Sequence, residues 1–382
     1  MFRSAGFWVA VAFLAVVSSA LPREAVRTRA AVVVALSLAV LYFGALVPPS
    51  ALLVAGLSAG WVIAALRASR RLSVALFPVA ALWILGKLAG AFTRSHLGVF
   101  AFIGFSFFFI KVWTLAKDVC DGRVEAPDPL VVLAYLFFFP TWIAGPMHLF
   151  GEFDETFRAP SLPDKAGFVD AVYRVALGLF KVHVLAPLLE PLALGSLADG
   201  HHVRPAAVVV AAFAYSLVIY LDFSGYSDLA VAAGSLAGYR TPENFVQPYL
   251  APNLRDFWQR WHVTFSRALT SYVFVPISRA LEGPLGERQR PIMIVSYLVT
   301  FLFCGYWHGP TANFLVWGLY HALGLIVFDL FRSWATKKRR ARKGKPLLPA
   351  PLGRVLATGL TFSFVSIGWI FFALPLRVIF GG

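Results

Sequence analysis

Long apolar runs of similar length recur along the whole sequence, separated by short segments that hold most of the charged residues. An α-helix rises about 1.5 Å per residue, so roughly 20 apolar residues cross the ~30 Å hydrocarbon core of a bilayer. The runs are Ala5–Leu21, Ala30–Val47, Ser50–Leu66, Leu72–Phe92, Leu97–Ala116, Pro129–Met147, Phe168–Leu194, Pro205–Ala233, Ile292–Trp307, Asn313–Phe331 and Val355–Leu376. They predict an all-α integral membrane protein with about eleven transmembrane helices in one membrane domain over residues 1–382. We expect the first run to be a span and not a cleaved signal.

Composition supports lipid as the solvent of this chain. Hydrophobic residues make up 59% of the sequence and charged residues 14%, whereas a soluble domain carries about 25% charged residues. The 34 basic and 19 acidic residues give a net charge of +15. Many basic residues lie in short loops, and no basic surface alternates with stacking aromatic residues in a soluble segment. We therefore expect contact with membrane lipid and no binding of nucleic acid.

The basic residues also predict an orientation, because loops rich in Lys and Arg stay on the cytoplasmic side. Three arginines lie in residues 22–29 and three more in residues 67–71, whereas the loop at 47–50 carries no charge. This alternation places the N-terminus outside an inner (plasma) membrane. The loop at 332–354 includes a tract of seven basic residues and is predicted to be cytoplasmic, where the tract either anchors the topology or binds anionic lipid.

The segment Gly238–Arg290 departs from this pattern because it is polar and aromatic together. It is too polar to span lipid, and irregular backbone at membrane depth is tolerated only where protein or a water-filled cavity surrounds it. We predict partly buried or re-entrant helices in this segment, together with helices that lie at the membrane interface. The alternative is an amphipathic surface helix that places its tryptophans among the headgroups.

The strongest candidate for chemistry is His308, in the sequence Gly-Tyr-Trp-His-Gly-Pro at the end of the run Ile292–Trp307. Gly309 and Pro310 predict that the helix ends there, which makes room beside the imidazole. An ionisable residue in a membrane segment is a functional candidate by default. A histidine takes a proton from a hydroxyl near neutral pH and contributes about 100- to 10,000-fold in rate as a general base. The alternative is a structural histidine that binds a freed carbonyl.

A second candidate, His262, ends the sequence Asn-Leu-Arg-Asp-Phe-Trp-Gln-Arg-Trp-His that begins at Asn253. Asp256 and Arg260 are spaced i and i+4, on one helix face and in the order that favours an ion pair. One interpretation is a polar cluster that includes His262. The other is a salt-bridged interfacial helix without a catalytic role.

A third candidate is a polar stretch within the run Pro205–Ala233. Its members are Asp222, Ser224, Tyr226 and Asp228. Paired carboxylates suggest a cation site or glycosyl transfer, but a spacing of six residues does not put them on one helix face. We therefore expect separate hydrogen bonds in the wall of a polar pocket, and no metal site. Lys111 is expected to be structural, since long side chains near the ends of spans can snorkel to water, and His321 is expected to be a supporting hydrogen-bonding residue.

Several motifs, taken together, resemble the core of the membrane-bound O-acyltransferase family, in the branch with the alginate O-acetylation and teichoic-acid D-alanyl transfer proteins. The resemblance covers residues 137–323 and rests on motifs in a consistent order. They are Phe138-Phe-Pro140, Ala144-Gly-Pro146, Tyr220-Leu-Asp-Phe-Ser-Gly-Tyr-Ser-Asp228, Pro242-Glu-Asn-Phe245, Pro248-Tyr-Leu250, Asn253-Leu-Arg-Asp-Phe-Trp-Gln-Arg-Trp-His262, Tyr306-Trp-His-Gly309, Asn313-Phe and Trp317-Gly.

The resemblance implies helices around a central tunnel, with His308 as the catalytic histidine and His262 assisting it. It implies an acyl donor that arrives from the cytoplasm as a thioester on coenzyme A or on an acyl carrier protein. This donor is a co-substrate, and no permanently bound cofactor is expected. The implied acceptor is a hydroxyl of a cell-envelope polysaccharide or an extracytoplasmic partner protein, and the expected acyl group is acetyl.

We expect direct transfer in a ternary complex, in which His308 removes the proton of the acceptor hydroxyl as the oxygen attacks the thioester carbonyl. Candidate donors to the oxyanion are Asn313, Tyr272, His262 and a backbone amide near Gly309. Supporting or substrate-binding roles are expected for Asn253, Asp256, Arg260, Asp222, Ser224, Tyr226 and Asp228, as well as for Asn313 and Tyr272. A covalent route through Cys304 is a variant of this mechanism.

Two other classes of protein share these features. A transporter or flippase for a lipid-linked sugar also has many helices, a tunnel and buried polar residues. A polyprenyl-linked glycosyltransferase that uses Asp222 or Asp228 would depend on a nucleotide sugar and a divalent metal.

Overall fold

A computed structural model describes residues 2, 4–44, 47–69, 71–93, 103–125, 127–194, 205–286, 288–341 and 349–380. These residues are almost entirely helical, and they include no β-strand. The helices are α1 (Ala5–Ala20), α2 (Val26–Phe43), α3 (Pro49–Ala68), α4 (Leu72–Thr93), α5 (Ile103–Cys120), α6 (Pro129–Phe137), α7 (Phe150–Arg158), α8 (Lys165–Phe180), α9 (Ala186–Leu189), α10 (Pro205–Leu236), α11 (Leu254–Arg260), α12 (Val263–Leu269), α13 (Val275–Leu285), α14 (Gln289–His308), α15 (Ala312–Ala341), α16 (Ala350–Ala373) and α17 (Leu376–Phe380). Single π-helical turns at Lys181–Leu185 and Thr270–Phe274 join α8 to α9 and α12 to α13.

Seven helical segments in the described part of the chain are long and apolar enough to cross a membrane. They are Val26–Phe43, Pro49–Ala68, Lys165–Leu192, Ala206–Leu236, Gln289–His308, Ala312–Lys338 and Pro351–Ala373. Shorter apolar helices lie at Ala5–Ala20, Leu72–Leu88 and Pro129–Thr141. The chain is thus a multi-pass, helical membrane protein. The count of about eleven spans and the re-entrant helices stay predictions, and Arg70 and residues 342–348 of the two basic loops lie outside the described residues.

The described residues pack as two compact units. The first comprises Met1–Phe180 with Gly225–Glu243, and the second comprises Lys181–Ser224 with Asn244–Gly382. Both candidate histidines therefore belong to the second unit.

The predicted span Pro129–Met147 is interrupted after nine residues, where α6 ends. At Phe138 the backbone leaves the helical region, with φ −54° and ψ 100°. Pro140 follows two residues later, and because it lacks an N–H group the helix cannot continue regularly through it. A turn of 3₁₀-helix takes its place at Phe139–Thr141.

Lys111 binds the carbonyl group that this interruption exposes. In a continued helix the Tyr135 carbonyl would accept the N–H of Phe139, which instead donates to Ser37 Oγ at 3.3 Å. The Lys111 ammonium donates to that carbonyl at 2.6 Å and lies 4.6 Å from the centre of the Tyr135 ring. Lys111 is therefore a structural residue, as predicted, but its ammonium does not reach water, because the interrupted helix places an acceptor inside the protein where the buried ammonium meets it.

In the second unit, α14 and α15 meet at backbone contact through two glycines. A Cβ atom on Gly318 would lie 2.2 Å from the carbonyl oxygen of Phe301, and one on Gly305 would lie 2.3 Å from that of Phe314. Small residues allow this close approach between membrane helices. The contact holds the last turn of α14, which carries His308, against the first turns of α15.

An ion pair between α11 and α15, with a further hydrogen bond from α14, joins these three helices. Nη2 of Arg255 lies 2.7 and 2.6 Å from the two carboxylate oxygens of Asp329, and the hydroxyl of Tyr297 donates to one of them at 2.9 Å. Asp329 is buried, whereas the Arg255 side chain is 43% exposed.

Replacing Asp329 by Asn is expected to lower the free energy of unfolding by about 1–2 kcal/mol, because two charge-assisted hydrogen bonds become weaker ones. Solvent around Arg255 keeps the loss below that of a fully buried pair. The measurement is the thermal unfolding of detergent-solubilised protein. The matched control is Asp154→Asn, which breaks the more exposed pair with Arg158 and is expected to change stability by under about 0.5 kcal/mol. Equal stability of Asp329→Asn and wild type would show that the ion pair between Arg255 and Asp329 does not stabilise the fold.

Candidate active site

His308 is the last residue of α14, as Gly309 and Pro310 predict. Gly309 is extended, with φ −174° and ψ 153°, so the chain leaves the helix directly after the histidine. A side chain added at Gly309 would collide with the ring of Phe314, because its Cβ would lie 2.4 Å from that ring. The imidazole therefore lies at the end of the helix, and the side chain is half-buried.

Aromatic rings surround the His308 imidazole. Its ring centre lies 4.7 Å from that of Trp307, 5.2 Å from that of Trp317 and 4.9 Å from that of Phe372. All three contacts are edge-on, and they come from α14, α15 and α16. Three elements thus fix the orientation of one half-buried imidazole in apolar surroundings.

His262 is buried and lies at the junction between α11 and α12. Its backbone is left-handed, with φ 46° and ψ 52°, a conformation that is costly for a residue with a side chain. Nδ1 lies 3.0 Å from Oδ1 of Asn244, and the ring packs edge-on against Phe223 at 4.8 Å. Such a strained position persists only where the surrounding structure holds it.

Two aromatic rings connect the histidines within the second unit. The Phe265 ring lies 5.0 Å from the His262 ring and 4.3 Å from the ring of Trp307, which in turn contacts His308. The two histidines, 46 residues apart in the sequence, therefore belong to one aromatic cluster. The sequence motifs predicted the two residues, and the structure brings them into the same cluster.

The residues before His262 stabilise α11. Asn253 caps the helix by accepting the N–H of Asp256 at 2.9 Å, and the carboxylate of Asp256 lies 3.0 Å from Nε of Arg260. The predicted i, i+4 ion pair is confirmed. Asn253 acts as an N-cap, a role that its place directly before the helix allowed.

The polar stretch from Asp222 to Asp228 does not interrupt a helix, because α10 runs through it without a break. Asp222 is exposed, and Ser224 is buried with no hydrogen-bond partner for its Oγ in the described structure. These two residues lie in the second unit. No hydrogen bond of Asp222 is among the described side-chain contacts, and its place in the wall of a polar pocket stays a prediction.

The last two residues of that stretch belong to the first unit. The Tyr226 hydroxyl accepts the N–H of Ala144 at 3.2 Å. A carboxylate oxygen of Asp228 lies 3.8 Å from Nη1 of Arg174. Nη2 of the same arginine lies 2.6 Å from Oε1 of Glu243. Tyr226 and Asp228 thus have clear structural partners of their own.

Tyr272 is buried within the π-helical turn Thr270–Phe274, and Asn313 is half-buried in the first turn of α15. Both lie in the second unit with the histidines. Cys304, which a covalent route would use, is buried in α14.

His321 differs from its sequence expectation. The ring is buried among aromatic side chains, with its centre 4.9 Å from that of Trp317 and 5.2 Å from that of Trp258. Neither ring nitrogen has a hydrogen-bond partner in the described structure. The residue thus packs next to the ring that contacts His308, and it does so without the hydrogen bonds that the sequence suggested.

A cavity of about 570 Å³ lies in the second unit. Its lining combines Arg255 and Arg267 with polar groups and with the apolar faces of Trp258 and Phe301. The Trp258 ring lies 6.0 Å from that of Trp317, which contacts His308. A cavity of this size and mixed lining is typical of a small-molecule site.

Burial lowers the pKa of His262 from its usual 6.5 to about 3. The unfolded chain therefore takes up a proton near pH 6.5, and the folded chain takes up the same proton only near pH 3. Between these values the free energy of unfolding falls as the pH falls, by up to about 1.4 kcal/mol per pH unit from this residue. Above pH 6.5 the effect vanishes, because the imidazole is then neutral in both states.

We therefore expect the melting temperature of wild type to drop more between pH 7.5 and 5.5 than that of His262→Gln, which lacks the titrating ring. The measurement compares the two drops in the same detergent. Equal drops in both proteins would show that His262 is not held neutral by burial.

Comparison with known proteins adds to this geometry. The sequence matches the membrane-bound O-acyltransferase family over residues 96–348, more than half of the chain. It is 27% identical to a teichoic acid D-alanyltransferase of Streptococcus thermophilus, over 71% of this chain and 68% of that protein. It is 31% identical to a peptidoglycan O-acetyltransferase of Helicobacter pylori, over 62% of this chain and 42% of the relative.

A third relative, the protein named probable alginate O-acetylase AlgI of Azotobacter vinelandii, is 32% identical over 71% of this chain and 50% of its own length. The chain thus matches about half the length of the two O-acetylating relatives and about two thirds of the D-alanylating one. The matched family segment includes both histidine motifs and the aromatic cluster between them. The chain belongs to the membrane-bound O-acyltransferase family.

Proposed function

We propose that this protein transfers an acetyl group from a cytoplasmic thioester to a hydroxyl of a cell-envelope polysaccharide, or to an extracytoplasmic partner protein that passes it on. The observation that carries the proposal is the His308 imidazole, held by three aromatic contacts at the end of α14 in a chain of the O-acyltransferase family. Acetyl is proposed because two of the relatives are named as O-acetylating proteins. A D-alanyl group is the second candidate, since another relative is named a D-alanyltransferase.

His308 acts as the general base of this reaction. As its ring nitrogen takes the proton of the acceptor hydroxyl, the oxygen forms a bond to the thioester carbonyl carbon. The oxyanion then collapses, the carbon–sulfur bond breaks, and the imidazolium returns the proton to the leaving thiolate. The products are an ester and a free thiol, and the histidine ends in the neutral form in which it began.

The mixed lining of the cavity supports a donor of the coenzyme A or acyl-carrier type. The phosphopantetheine arm of either donor joins a phosphate to a polar chain that ends in the thioester. Arg267 and Arg255, the latter paired with Asp329, offer guanidinium donors for the phosphate, and the aromatic wall suits the acyl end. The proposed orientation is an inner-membrane protein with its N-terminus outside and the 332–354 loop in the cytoplasm, so that the donor and the acceptor arrive from opposite sides.

The test uses purified protein in proteoliposomes with labelled acetyl-coenzyme A, acetyl-carrier protein or D-alanyl-carrier protein. Label that appears in a base-labile ester on envelope polysaccharide supports the proposal, and the donor that gives it names the acyl group. The competing transporter class predicts that a lipid-linked sugar crosses the bilayer unmodified. Transport without ester formation from any donor would therefore reject the proposal.

A further inference from the structure

Asn244 makes contacts to His262 and Thr264 that no hydrophobic pattern signals. Its side-chain oxygen Oδ1 lies 3.0 Å from Nδ1 of His262, 2.8 Å from the Thr264 hydroxyl and 3.4 Å from the Thr264 backbone nitrogen. Its backbone carbonyl accepts the N–H of Val263 at 2.9 Å. One residue, 18 positions earlier in the sequence, thus binds the side chain and the following turn of the strained histidine.

The partners of Oδ1 determine which end of the Asn244 amide faces His262. A backbone N–H only donates hydrogen bonds, so the atom that faces the Thr264 nitrogen is the amide oxygen and not the NH₂ group. The Thr264 hydroxyl donates to the same oxygen. Because this oxygen only accepts, Nδ1 of His262 carries a proton and donates it. In a neutral imidazole the other nitrogen, Nε2, then holds a lone pair.

We propose that Asn244 is a positioning residue that holds His262 as the Nδ1–H tautomer, so that Nε2 accepts a hydrogen bond from the reacting hydroxyl or thiol. Thr264 supports this role by fixing the orientation of the amide. The inference rests on the proposed acyl transfer, in which His308 is the base and His262 orients a reacting group. It also removes His262 from the candidate donors to the oxyanion, because the neutral ring has no proton at Nε2 to give.

The strained backbone of His262 fits this role. A left-handed conformation persists where several contacts hold it, and it is enriched at sites whose geometry matters for function. The contacts of Asn244 to the ring and to the Val263 amide secure the side chain and the main chain together. A supporting partner that fixes the tautomer of an active-site histidine typically contributes a large factor to the rate, even though it touches no substrate.

The His262 ring contacts Phe223 from α10, Phe265 from α12 and Asn244 itself, and none of these three side chains titrates. A carboxylate introduced at position 244 would therefore be a new charge beside this ring. Asn244→Asp keeps the accepting oxygen and the tautomer, but it stabilises the imidazolium and raises the pKa of His262.

The experiment measures kcat, the donor KM and the pH profile of acyl transfer for four variants in proteoliposomes. Asn244→Leu keeps the size but has no acceptor, and Thr264→Val keeps the shape but has no hydroxyl. Asn244→Asp tests the charge, and Thr264→Ser restores the hydroxyl. The melting temperature of each variant shows whether it folds. Where one substitution at position 244 or 264 does not fold, the other substitution at the same position carries the test.

The expected result is a kcat about 100-fold lower for Asn244→Leu with the donor KM within about threefold, as loss of an orienting partner predicts. Thr264→Val should lose about tenfold, and Thr264→Ser should recover most of it. Asn244→Asp should remain active at high pH. As the pH is lowered, its activity should begin to drop at a higher pH than the activity of wild type does. Adding His262→Gln should abolish that difference between the two pH profiles.

A second readout does not depend on activity. The ¹⁵N spectrum of histidine-labelled protein distinguishes the two neutral tautomers, and the His262→Gln spectrum assigns one signal among the eight histidines. The proposal expects a protonated Nδ1 in wild type, and a protonated Nε2 there would overturn it. If wild type and Asn244→Leu have equal kcat while His308→Ala is inactive, the positioning role fails and the proposed function stands. If wild type transfers no acyl group from any donor, the proposed function fails and the spectrum alone decides the tautomer.

Discussion

Replacing His308 by Ala is expected to lower the rate of acyl transfer by about 100- to 10,000-fold, the usual contribution of a general base. Alanine removes the ring nitrogen that takes the proton of the acceptor hydroxyl, while Trp307, Trp317 and Phe372 still line the site. The measurement is the initial rate of ester formation with saturating thioester. The donor KM should change little, because the histidine acts on the acceptor and not on the carrier portion of the donor.

The matched control is His183→Ala, which removes a histidine from a π-helical turn of the second unit that has no buried residue. Its rate should stay within about twofold of wild type. Retention of acyl transfer within about tenfold of wild type in correctly inserted His308→Ala would reject the general-base role.

Replacing Gly318 by Ala is expected to lower the free energy of unfolding by at least about 1–3 kcal/mol. It is also expected to lower the rate of acyl transfer about 10- to 100-fold. The new Cβ would lie 2.2 Å from the Phe301 carbonyl oxygen, so α14 and α15 would have to separate. That movement shifts His308, on the last turn of α14, relative to Trp317 on α15. Unfolding in detergent and the rate of ester formation measure the two effects.

Gly359→Ala is the control for this substitution. Gly359 also lies inside a helix of the second unit, but nothing stands within 4 Å of the position its Cβ would take. This variant should match wild type in stability and in rate. If Gly318→Ala behaves like Gly359→Ala, the close helix contact does not position the site.

Local sequence signals predicted much of what the structure shows. Apolar runs of the length of a membrane helix predicted α2, α3, α14 and α16 to within a few residues. The Gly-Pro step after His308 predicted the end of α14, because neither residue continues a helix well. The spacing of Asp256 and Arg260 predicted their ion pair, because it depends only on the turn of the helix that carries both.

Features that depend on tertiary contacts were not predictable in this way. The burial of Lys111 follows from the broken end of a different helix, whose free carbonyl no local pattern near Lys111 indicates. The role of Asn244 depends on a contact 18 residues along the chain. Asn244 lies within the motif Pro242-Glu-Asn-Phe245, which supported the resemblance to the family. The motif alone gave no indication that Asn244 binds the side chain of His262. In the described structure, the lack of hydrogen bonds to His321 likewise depends on rings from α11 and α14 and from its own helix α15.

The central claim is that this chain joins an acyl group to a hydroxyl through His308. Its most direct test supplies proteoliposomes with a labelled thioester on the cytoplasmic side and envelope polysaccharide on the other, and then measures label in base-labile ester. We expect label with wild type, and a loss of at least about 100-fold with His308→Ala. Equal ester formation by the two proteins, or sugar transport by wild type without any ester, would contradict it.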